Sequence, residues 1–597
     1  MCGIVGMTSG KAVVEDLIAA LGRMEYRGYD SAGIALSGGS GALIVQKVVG
    51  PVSGLAANAG NRHCRAGIAH TRWATHGRPE LRNAHPVVSG GVAVVHNGIV
   101  ENFQSIREGL AALGHVFQSD TDSEVIPHLM ADALRAGATP MEALRSACAR
   151  LQGTYAIAAV IEGEPELVLV ARKNSPVVVG RADGLAAVAS DTMSLGGYCT
   201  EYLPLEDGEM AELRPGSVRV TGPDMEESDR AWQRIEGVYD DSGTQGFAHY
   251  TRKEIAEQPA ALRRTDEALR DRALPPSIAA AERLVLVACG SSLFAATAAR
   301  GFVERLSGIP CDLEVASEFR YREAPLPKGS VAVLVSQSGE TADTMAALDL
   351  FREAGVPSVA IVNVLESSIA RGADLLWPTS AGHEMGVAAT KTFTSQMLAI
   401  IRLGLRLGAA RGMGGSALAS MVDAALAEAP GVCALVEEQE PALRKIAQGI
   451  ARENEALFVG RGWGAAIAAE GALKLKELSY LRADAYASGE LKHGPIALIR
   501  EGSPVIVHAP SDVLLHKTVS NAEEVRARGA HIIALTDADA VSEIGSVAAE
   551  IVVLPGTGPV AVFAHAVAVQ LIAYHTSLAL GRNVDRPRNL AKSVKVE

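Results

Sequence analysis

The hydrophobic positions of the chain fall into two regions with different patterns. In the first 240 residues or so, short apolar runs alternate with polar residues and glycines. This alternation predicts the strands of layered sheets, and helical periodicity between them predicts helices that cover the sheets. The apolar runs are 91–96, 167–170 and 177–179, and the helical patterns are 13–24, 102–113 and 123–135. We therefore predict an α+β fold here.

The second region contains continuously apolar strands separated by helical patterns. Strands 283–290, 330–335 and 359–362 are followed, in the same order and at comparable spacing, by strands 456–460, 504–507 and 532–535. Such a repeat predicts two similar units, each with a doubly wound parallel sheet covered on both faces (α/β). The apolar stretch 560–580 carries polar residues that would be costly in hydrocarbon, so we expect a buried helix and no membrane span.

A polar, glycine-bearing segment at 239–246 separates the two regions, and a helical segment, 251–269, follows it. The predicted boundaries are an N-terminal domain at 2–240, a linker at 241–250, two repeated domains at 251–430 and 431–584, and a C-terminal tail at 585–597.

Composition excludes several classes of function. The 597 residues carry 55 Lys and Arg against 68 Asp and Glu, a net charge of −13, which leaves no basic field for nucleic acid. Seven scattered cysteines without a Cys-x-x-Cys pair indicate neither a disulfide framework nor a zinc site. No secretory signal is evident. We expect a cytoplasmic protein without a metal or an organic cofactor.

Cys2 is the first candidate for chemistry, because it directly follows the initiator methionine. Removal of Met1 would leave a thiol and a free α-amine on one residue. The amine titrates at about 7.7 to 8.0, against about 8.5 for a thiol, so it can accept the thiol proton near neutral pH. The alternatives are a small buried hydrophobic residue or a residue of a disordered chain end.

Three further segments of the first region supply groups suited to amide hydrolysis. Arg72 can hold a carboxylate through two charge-assisted bonds, although alone it is typical of a surface arginine. Asn97 and Gly98 follow an apolar strand and could form an oxyanion hole at its end, but Asn-Gly is also a strong hairpin-turn signal. Asp122 could pair with the α-ammonium group of an amino acid, or belong to a helix N-cap segment.

Together with Tyr-Arg-Gly-Tyr-Asp-Ser-Ala-Gly at 26–33, these segments resemble the class II glutamine amidotransferases, whose glutaminase domain has an N-terminal nucleophile. The resemblance implies a four-layer αββα fold. It also implies roles for individual residues: Cys2 as nucleophile, Asn97 and Gly98 as oxyanion donors, Trp73 as the gate of an ammonia channel, and Arg72, Thr75, His76 and Asp122 as glutamine contacts.

Two strand-to-helix loops in the first repeat are candidates for binding phosphate or sugar oxygens. One is Ser-Gln-Ser-Gly-Glu-Thr at 336–341, and the other is Ala-Cys-Gly-Ser-Ser at 288–292. Hydroxyl groups, backbone N–H groups and a helix dipole would face one concavity there. An ordinary Ser/Thr-rich helix cap is the alternative.

The second repeat and the tail supply candidates for proton transfer and carbonyl chemistry. Lys474 and Glu477 are three residues apart on one predicted helix face, a spacing that also suits a solvated ion pair. His493 lies in a predicted turn and can titrate near neutral pH, although such histidines are often structural. Lys592 lies in a tail that would otherwise be regarded as frayed.

These segments resemble paired sugar isomerase (SIS) domains, and with the first region they resemble glutamine-dependent aminotransferases acting on fructose 6-phosphate. The resemblance implies synthesis of glucosamine 6-phosphate and glutamate. Glu477 would move a proton between C1 and C2 with help from Lys474, His493 of a neighbouring subunit would open the ring, and Lys592 would form a Schiff base. The resemblance also implies a homodimer, because His493 would serve the site of the neighbouring subunit. The implied sugar-phosphate contacts are Ser292, Ser336, Gln337, Ser338, Thr341, Val387 and Ala591.

Two residues depart from the pattern, Ala389 where a serine is expected and Trp463 after Gly-Arg-Gly. Three alternative functions share part of this sequence pattern: another N-terminal-cysteine amidotransferase, a sugar-phosphate-sensing module without catalysis, and a related deglycase. Neither a pyrophosphatase nor a phosphoribosyl-diphosphate loop is evident, and no DNA-binding helix pair accompanies the repeats.

Overall fold

The computed structural model describes residues 2–38, 42–56, 63–73, 76–235 and 243–592. The chain divides into two compact units, Met1–Asp241 together with Ala591–Val596, and Ser242–Leu590.

The first unit is built from antiparallel strands and short helices. Its described strands are β1 (Gly3–Ser9), β2 (Ser31–Ser37), β3 (Leu43–Val49), β4 (Ala66–Arg72), β5 (Val87–Ser89), β6 (Val92–Val100), β7 (Gly153–Ile161), β8 (Val168–Lys173), β9 (Val178–Ala182), β10 (Leu185–Ala189), β11 (Glu201–Pro204), β12 (Met210–Arg214), β13 (Ser217–Thr221) and β14 (Gln233–Arg234). Its described α-helices are α1 (Val14–Gly22), α2 (Ser53–Ala56), α3 (Phe103–Ala112), α4 (Val125–Arg135) and α5 (Pro140–Cys148).

Three hydrophobic cores give this unit four layers. Within the described part, one sheet has the order β14-β11-β9-β10-β1-β4-β2-β3 and the other β13-β12-β8-β7-β6-β5. The first core lies between α1 and the first sheet, the second between the two sheets, and the third between the second sheet and helices α3 to α5. Alternate residues of one strand thus serve different cores, which explains the period-2 pattern. The predicted αββα fold is confirmed.

The second unit consists of parallel strands and longer helices. Its described strands are β15 (Arg283–Ala288), β16 (Cys311–Val315), β17 (Ser330–Ser336), β18 (Ser358–Val362), β19 (Leu375–Leu376), β20 (Glu455–Gly460), β21 (Arg482–Ala487), β22 (Pro504–Ala509), β23 (His531–Thr536) and β24 (Glu550–Val553). Its described α-helices are α6 (Tyr250–Ala256), α7 (Gln258–Leu269), α8 (Pro276–Ala279), α9 (Gly290–Ser307), α10 (Ala316–Phe319), α11 (Ala342–Glu353), α12 (Ser368–Gly372), α13 (Lys391–Ala410), α14 (Ala417–Val436), α15 (Glu440–Ile450), α16 (Trp463–Ser479), α17 (Leu515–Arg526), α18 (Val541–Ile544) and α19 (Ala561–Ala579).

The two sheets of this unit have the same topology. Their orders are β16-β15-β17-β18-β19 and β21-β20-β22-β23-β24, with parallel pairing throughout the described strands. One large core, to which α9, α13, α16 and α19 contribute, covers the inner face of both sheets, and a separate core covers the outer face of each. Both predicted doubly wound folds are confirmed.

Local differences from the predictions have simple causes. The single helix predicted at 251–269 is divided into α6 and α7, because Pro259 stands in the first turn of α7 and has no N–H to continue a helix. Two described helical stretches, 417–450 and 558–579, are long and apolar enough to cross a membrane. The apolar window of the second is entirely buried inside the fold, as expected for the core helix α19, and that of the first is half buried.

Candidate active sites

Cys2 lies at the start of β1, beside the end of β4. Its sulfur accepts the backbone N–H of Trp73 at 3.3 Å, and its thiol donates to the Trp73 carbonyl at 3.5 Å. Burial raises the pKa of the thiol, and the Trp73 N–H and the Arg72 guanidinium partly offset this effect by favouring the thiolate. The Trp73 ring meets the edge of Tyr29, with ring centres 5.9 Å apart.

Asn97 reaches Cys2 from the second sheet, where it lies inside strand β6 and not at the end of a strand. Both Asn97 and Gly98 belong to β6, which continues to Val100, so their predicted position after the strand and the alternative hairpin turn are both wrong. The Asn97 amide donates to the Cys2 carbonyl at 3.1 Å and to the Ser190 hydroxyl at 2.9 Å. Gly98 has a φ of 138°, and a Cβ there would lie 2.0 Å from the Thr154 carbonyl. Only glycine fits this position.

Arg72, at the end of β4, is buried and organises the loop that follows it. Its guanidinium donates to the carbonyls of His76, Gly77 and Arg78, with distances of 3.1 Å to Gly77 and 3.4 Å to Arg78. The interpretation as a surface arginine is therefore wrong. Thr75 lies outside the described residues. The roles of Arg72, Thr75 and His76 in binding glutamine stay predictions.

Asp122 is buried at the end of β6. It accepts the backbone N–H of Val100 at 2.8 Å and the hydroxyl of Ser123 at 3.3 Å, so its carboxylate is held from two sides. A 3-10 turn at Asp122–Glu124 precedes α4, and Thr121 before it makes no side-chain cap. Pairing of Asp122 with a substrate ammonium group stays a prediction.

In the second unit, the Ser336 loop lies between β17 and α11, as predicted. The hydroxyls of Ser336 and Thr341 are 2.9 Å apart, and the Gly339 N–H donates to Ser336 at 3.0 Å. Gly339 has a φ of 62°, and a Cβ there would lie 1.9 Å from the Ser367 hydroxyl. The loop is thus closely packed, and the side chains of Gln337 and Ser338 are half-buried within it.

A buried lysine between two carboxylates lies on α16. Lys474 is 1% exposed, and its ammonium lies 2.5 Å from Glu477 and 3.5 Å from Glu470. Glu470 is fully buried and accepts the Ser291 hydroxyl at 3.1 Å, which joins α16 to the first turn of α9. Ser292 lies in the same turn, because α9 begins at Gly290 and the loop predicted at 288–292 is shorter than expected. Burial raises the pKa of Glu470 to about 7, against the lowering effect of Lys474. Burial lowers the pKa of Lys474, but the two carboxylates outweigh it and the net direction is upward.

The segment around Val387 is hydrogen-bonded to the start of α6 and to the first residue of the predicted tail, Asp585. Val387 is buried, and its N–H donates to the Asp585 carbonyl at 3.1 Å. The Asp585 carboxylate accepts the backbone N–H groups of Tyr250 and Thr251 at 3.0 and 2.8 Å, together with the Thr251 hydroxyl at 2.8 Å. Glu254 accepts the N–H groups of the two residues before Val387. This network had no signal in the sequence.

The remaining candidates are less enclosed. His493 ends a 3-10 turn, Ser488–His493, and is exposed. Ala591 and Lys592 are half-buried at the end of the described chain. Ala389 is half-buried just before α13. Trp463 begins α16, and its ring packs edge-on against buried His565, with ring centres 5.2 Å apart.

Sequence reasoning missed three residues that contact the candidates, His70, Ser190 and Glu470. The imidazole of His70 lies 3.0 Å from the Asn97 amide oxygen, and Ser190 accepts from the amide nitrogen. Glu470 could have been found, because it lies four residues before Lys474 and therefore on the same helix face. No local pattern marks the other two.

Known proteins resemble the chain along its whole length. Residues 277–404 and 449–580 match the SIS domain, and residues 70–196 match the glutamine amidotransferase domain. The isomerizing glutamine–fructose-6-phosphate aminotransferases of Caulobacter vibrioides and Bradyrhizobium diazoefficiens are each 42% identical to this chain, over 100% of it and 100% of theirs. The solved C-terminal domain of glucosamine-fructose-6-phosphate aminotransferase from Francisella tularensis is 35% identical, covering 58% of this chain and 100% of that domain, with a TM-score of 0.56. The chain belongs to the family of isomerizing glutamine–fructose-6-phosphate aminotransferases.

Proposed function

We propose that the chain converts fructose 6-phosphate and glutamine into glucosamine 6-phosphate and glutamate, the first step of amino-sugar synthesis. The proposal rests on one observation. The chain matches isomerizing glutamine–fructose-6-phosphate aminotransferases over their full length, and it contains a group of side chains suited to each half of the reaction. The first unit holds a thiol beside an amide donor. The second unit holds a buried lysine between two carboxylates, one of which accepts the Ser291 hydroxyl, and it also contains the hydroxyl-rich Ser336 loop.

In the proposed glutaminase step, the Cys2 thiolate attacks the side-chain amide carbon of glutamine. Ammonia leaves, and water then hydrolyses the glutamyl thioester to glutamate and the free thiol. The trimmed α-amine of Cys2 accepts the thiol proton, while Asn97 and the Gly98 N–H stabilise the oxyanion. The proposed glutamine contacts are Arg72, Thr75, His76 and Asp122.

In the proposed sugar step, Lys592 forms a Schiff base with the C2 ketone after His493 has opened the ring, and water leaves. Ammonia then replaces Lys592 at C2 and releases the free lysine amine. Glu477 then moves a proton between C1 and C2, assisted by Lys474. The burial of Lys474 against Glu477 supports this assignment, because a group that shuttles protons needs a fixed partner within hydrogen-bond reach. The proposed sugar-phosphate contacts are Ser292, Ser336, Gln337, Ser338, Thr341, Val387 and Ala591.

Transfer of ammonia between the two steps requires an enclosed route, since ammonia in neutral water is mostly protonated and does not attack a carbonyl. We propose Trp73 as the gate of this route, because its backbone contacts the Cys2 sulfur directly. A homodimer is also proposed. The exposure of His493 in the single chain supports a role in the site of a neighbouring subunit. Seven free cysteines support a reducing, cytoplasmic setting.

The decisive experiment is product analysis with fructose 6-phosphate and glutamine labelled with nitrogen-15 in the side-chain amide. We expect labelled glucosamine 6-phosphate from the wild-type chain. In Cys2→Ala, synthesis from glutamine is lost while the isomerisation of sugar phosphate remains. Labelled asparagine or a labelled purine precursor would indicate another amidotransferase. Sugar-phosphate binding without turnover would indicate a sensor, and net formation of fructose 6-phosphate a deglycase.

A further inference from the structure

We propose that His70 is a positioning residue for glutamine hydrolysis, which holds the side-chain amide of Asn97 with its nitrogen toward Cys2. The proposal rests on the proposed function, in which Asn97 serves the Cys2 site. His70 lies on β4, opposite Ile4 of β1, and is completely buried. It therefore lies on the strand next to β1, which begins directly after Cys2.

The contacts of His70 determine which ring nitrogen carries a hydrogen. Its Nε2 lies 3.0 Å from the Asn97 Oδ1 atom and 3.2 Å from the His96 carbonyl oxygen. A carbonyl oxygen only accepts, so Nε2 carries the hydrogen and donates to both oxygens. Burial lowers the pKa of His70 to about 3, although the bond to Asn97 opposes this change. The ring is therefore neutral near pH 7.

The contacts of the Asn97 amide nitrogen favour the same orientation, with the nitrogen toward Cys2 and the oxygen toward His70. The Asn97 Nδ2 atom lies 3.1 Å from the Cys2 carbonyl oxygen and 2.9 Å from the Ser190 hydroxyl. Ser190 also accepts the Ile4 N–H at 2.9 Å. An amide turned by 180° would set its nitrogen against the His70 N–H and its oxygen against the Cys2 carbonyl. Both contacts would be repulsive, so the amide has one stable orientation.

This arrangement assigns a physical role without proton transfer. When the thiolate adds to the glutamine amide carbon, the substrate oxygen becomes an oxyanion that requires an N–H donor. Asn97 can redirect the N–H now bonded to the Cys2 carbonyl while its oxygen stays bonded to His70. Because His70 already holds the amide nitrogen on the Cys2 side, only this short redirection is needed, and the amide does not have to turn over during the reaction. His70 itself neither gains nor loses a proton.

A double-mutant cycle on glutaminase activity of the full chain tests the proposal. We expect His70→Leu to lower kcat about 10- to 100-fold with the KM for glutamine within about twofold, below the loss typical for removal of an oxyanion donor. In the Asn97→Ala background, His70→Leu should lower kcat by less than about twofold, since its effect acts through Asn97. His70→Gln, which keeps an N–H donor, should recover part of the activity.

Matched controls separate positioning from packing and from base catalysis. His85 is buried, and its ring centre lies 4.3 Å from that of His70, but its ring nitrogens have no hydrogen-bond partner among the described residues. His85→Leu should therefore keep kcat within about threefold, after correction for the folded fraction measured by circular dichroism. The pH profile of kcat/KM in His70→Gln should keep its wild-type shape.

Three results would overturn the assignment of His70. They are multiplicative losses in the double variant, an equal loss in His85→Leu, or the disappearance of one limb of the pH profile. If Asn97→Ala alone leaves kcat unchanged, the proposed oxyanion role of Asn97 fails first, and the role of His70 fails with it. If His70→Leu does not fold, the Gln variant and its combination with Asn97→Ala carry the same test.

Discussion

Glu470 should make the second unit less stable as pH rises through neutrality, and Glu470→Gln should abolish this dependence. The carboxyl group is fully buried, 3.5 Å from the Lys474 ammonium, and it accepts a hydroxyl hydrogen from Ser291. Lys474 is already paired at 2.5 Å with Glu477. Burial raises the pKa of Glu470 from 4.5 to about 7; repulsion from Glu477 adds to the rise, and Lys474 and the Ser291 hydroxyl oppose it.

The sign and size of the effect follow from proton linkage. Between pH 4.5 and 7 the folded chain binds more protons at Glu470 than the unfolded chain does, so the free energy of unfolding falls as pH rises. The stabilisation is complete below about pH 4.5 and is lost above about pH 7. At 1.36 kcal/mol per pH unit of pKa difference, the total is about 3 kcal/mol. A glutamine at this position keeps the shape and the bond to Ser291 but does not titrate.

Calorimetric unfolding of the full chain at pH 5, 6, 7 and 8 tests this reasoning. Because the chain has two units, the transition that contains the second unit must be followed separately. Relative to wild type, Glu470→Gln should gain about 3 kcal/mol between pH 5 and 8. Glu523→Gln, which removes an exposed carboxylate from α17, is the control and should follow wild type. Parallel pH curves for Glu470→Gln and wild type would refute the argument.

Three further substitutions have expected outcomes. Gly98→Ala should lower glutaminase kcat at least about 100-fold, because the alanine Cβ would clash with the Thr154 carbonyl of β7. The control is Gly114→Ala, which also has a positive φ but has open space around it, and it should retain activity. Asp585→Ala removes three hydrogen bonds from the start of α6, a loss of about 3 kcal/mol at about 1 kcal/mol per bond, and should speed amide exchange there about 150-fold. Unchanged exchange would contradict this. Gly339→Ala should raise the KM for fructose 6-phosphate about tenfold, because its Cβ would overlap a serine hydroxyl, and Gly355→Ala should not.

The fold was largely predictable because hydrophobic periodicity reports which faces of an element are buried. The period-2 runs of the first unit lie between two cores, and the continuous apolar strands of the second unit are covered on both faces. The same information does not fix where an element ends. Asn97 and Gly98 have the residue types of a turn, yet β6 runs through them because it pairs with β7 over its whole length.

Among the residues of the candidate sites, only the reactive side chains that belong to recognisable sequence motifs could be predicted. Cys2, the Ser336 loop and the Lys474–Glu477 spacing are visible along the chain. Whether an arginine such as Arg72 is exposed or buried is not visible, since burial depends on the loop that folds over it. Sequence spacing therefore predicts the identity of reactive groups better than their surroundings.

The residues that hydrogen-bond the reactive side chains are distant from them in sequence, so no sequence motif contains both. Ser190 is 93 residues from Asn97, Ser291 is 179 residues from Glu470, and Asp585 is 334 residues from Thr251. Each pair exists because two elements that are distant along the chain meet in the folded unit, so no local pattern encodes it. A buried hydrogen bond also costs more to break than an exposed one, because the remaining partner stays desolvated. Substitutions at these holding residues should therefore impair activity as strongly as many substitutions within the motifs.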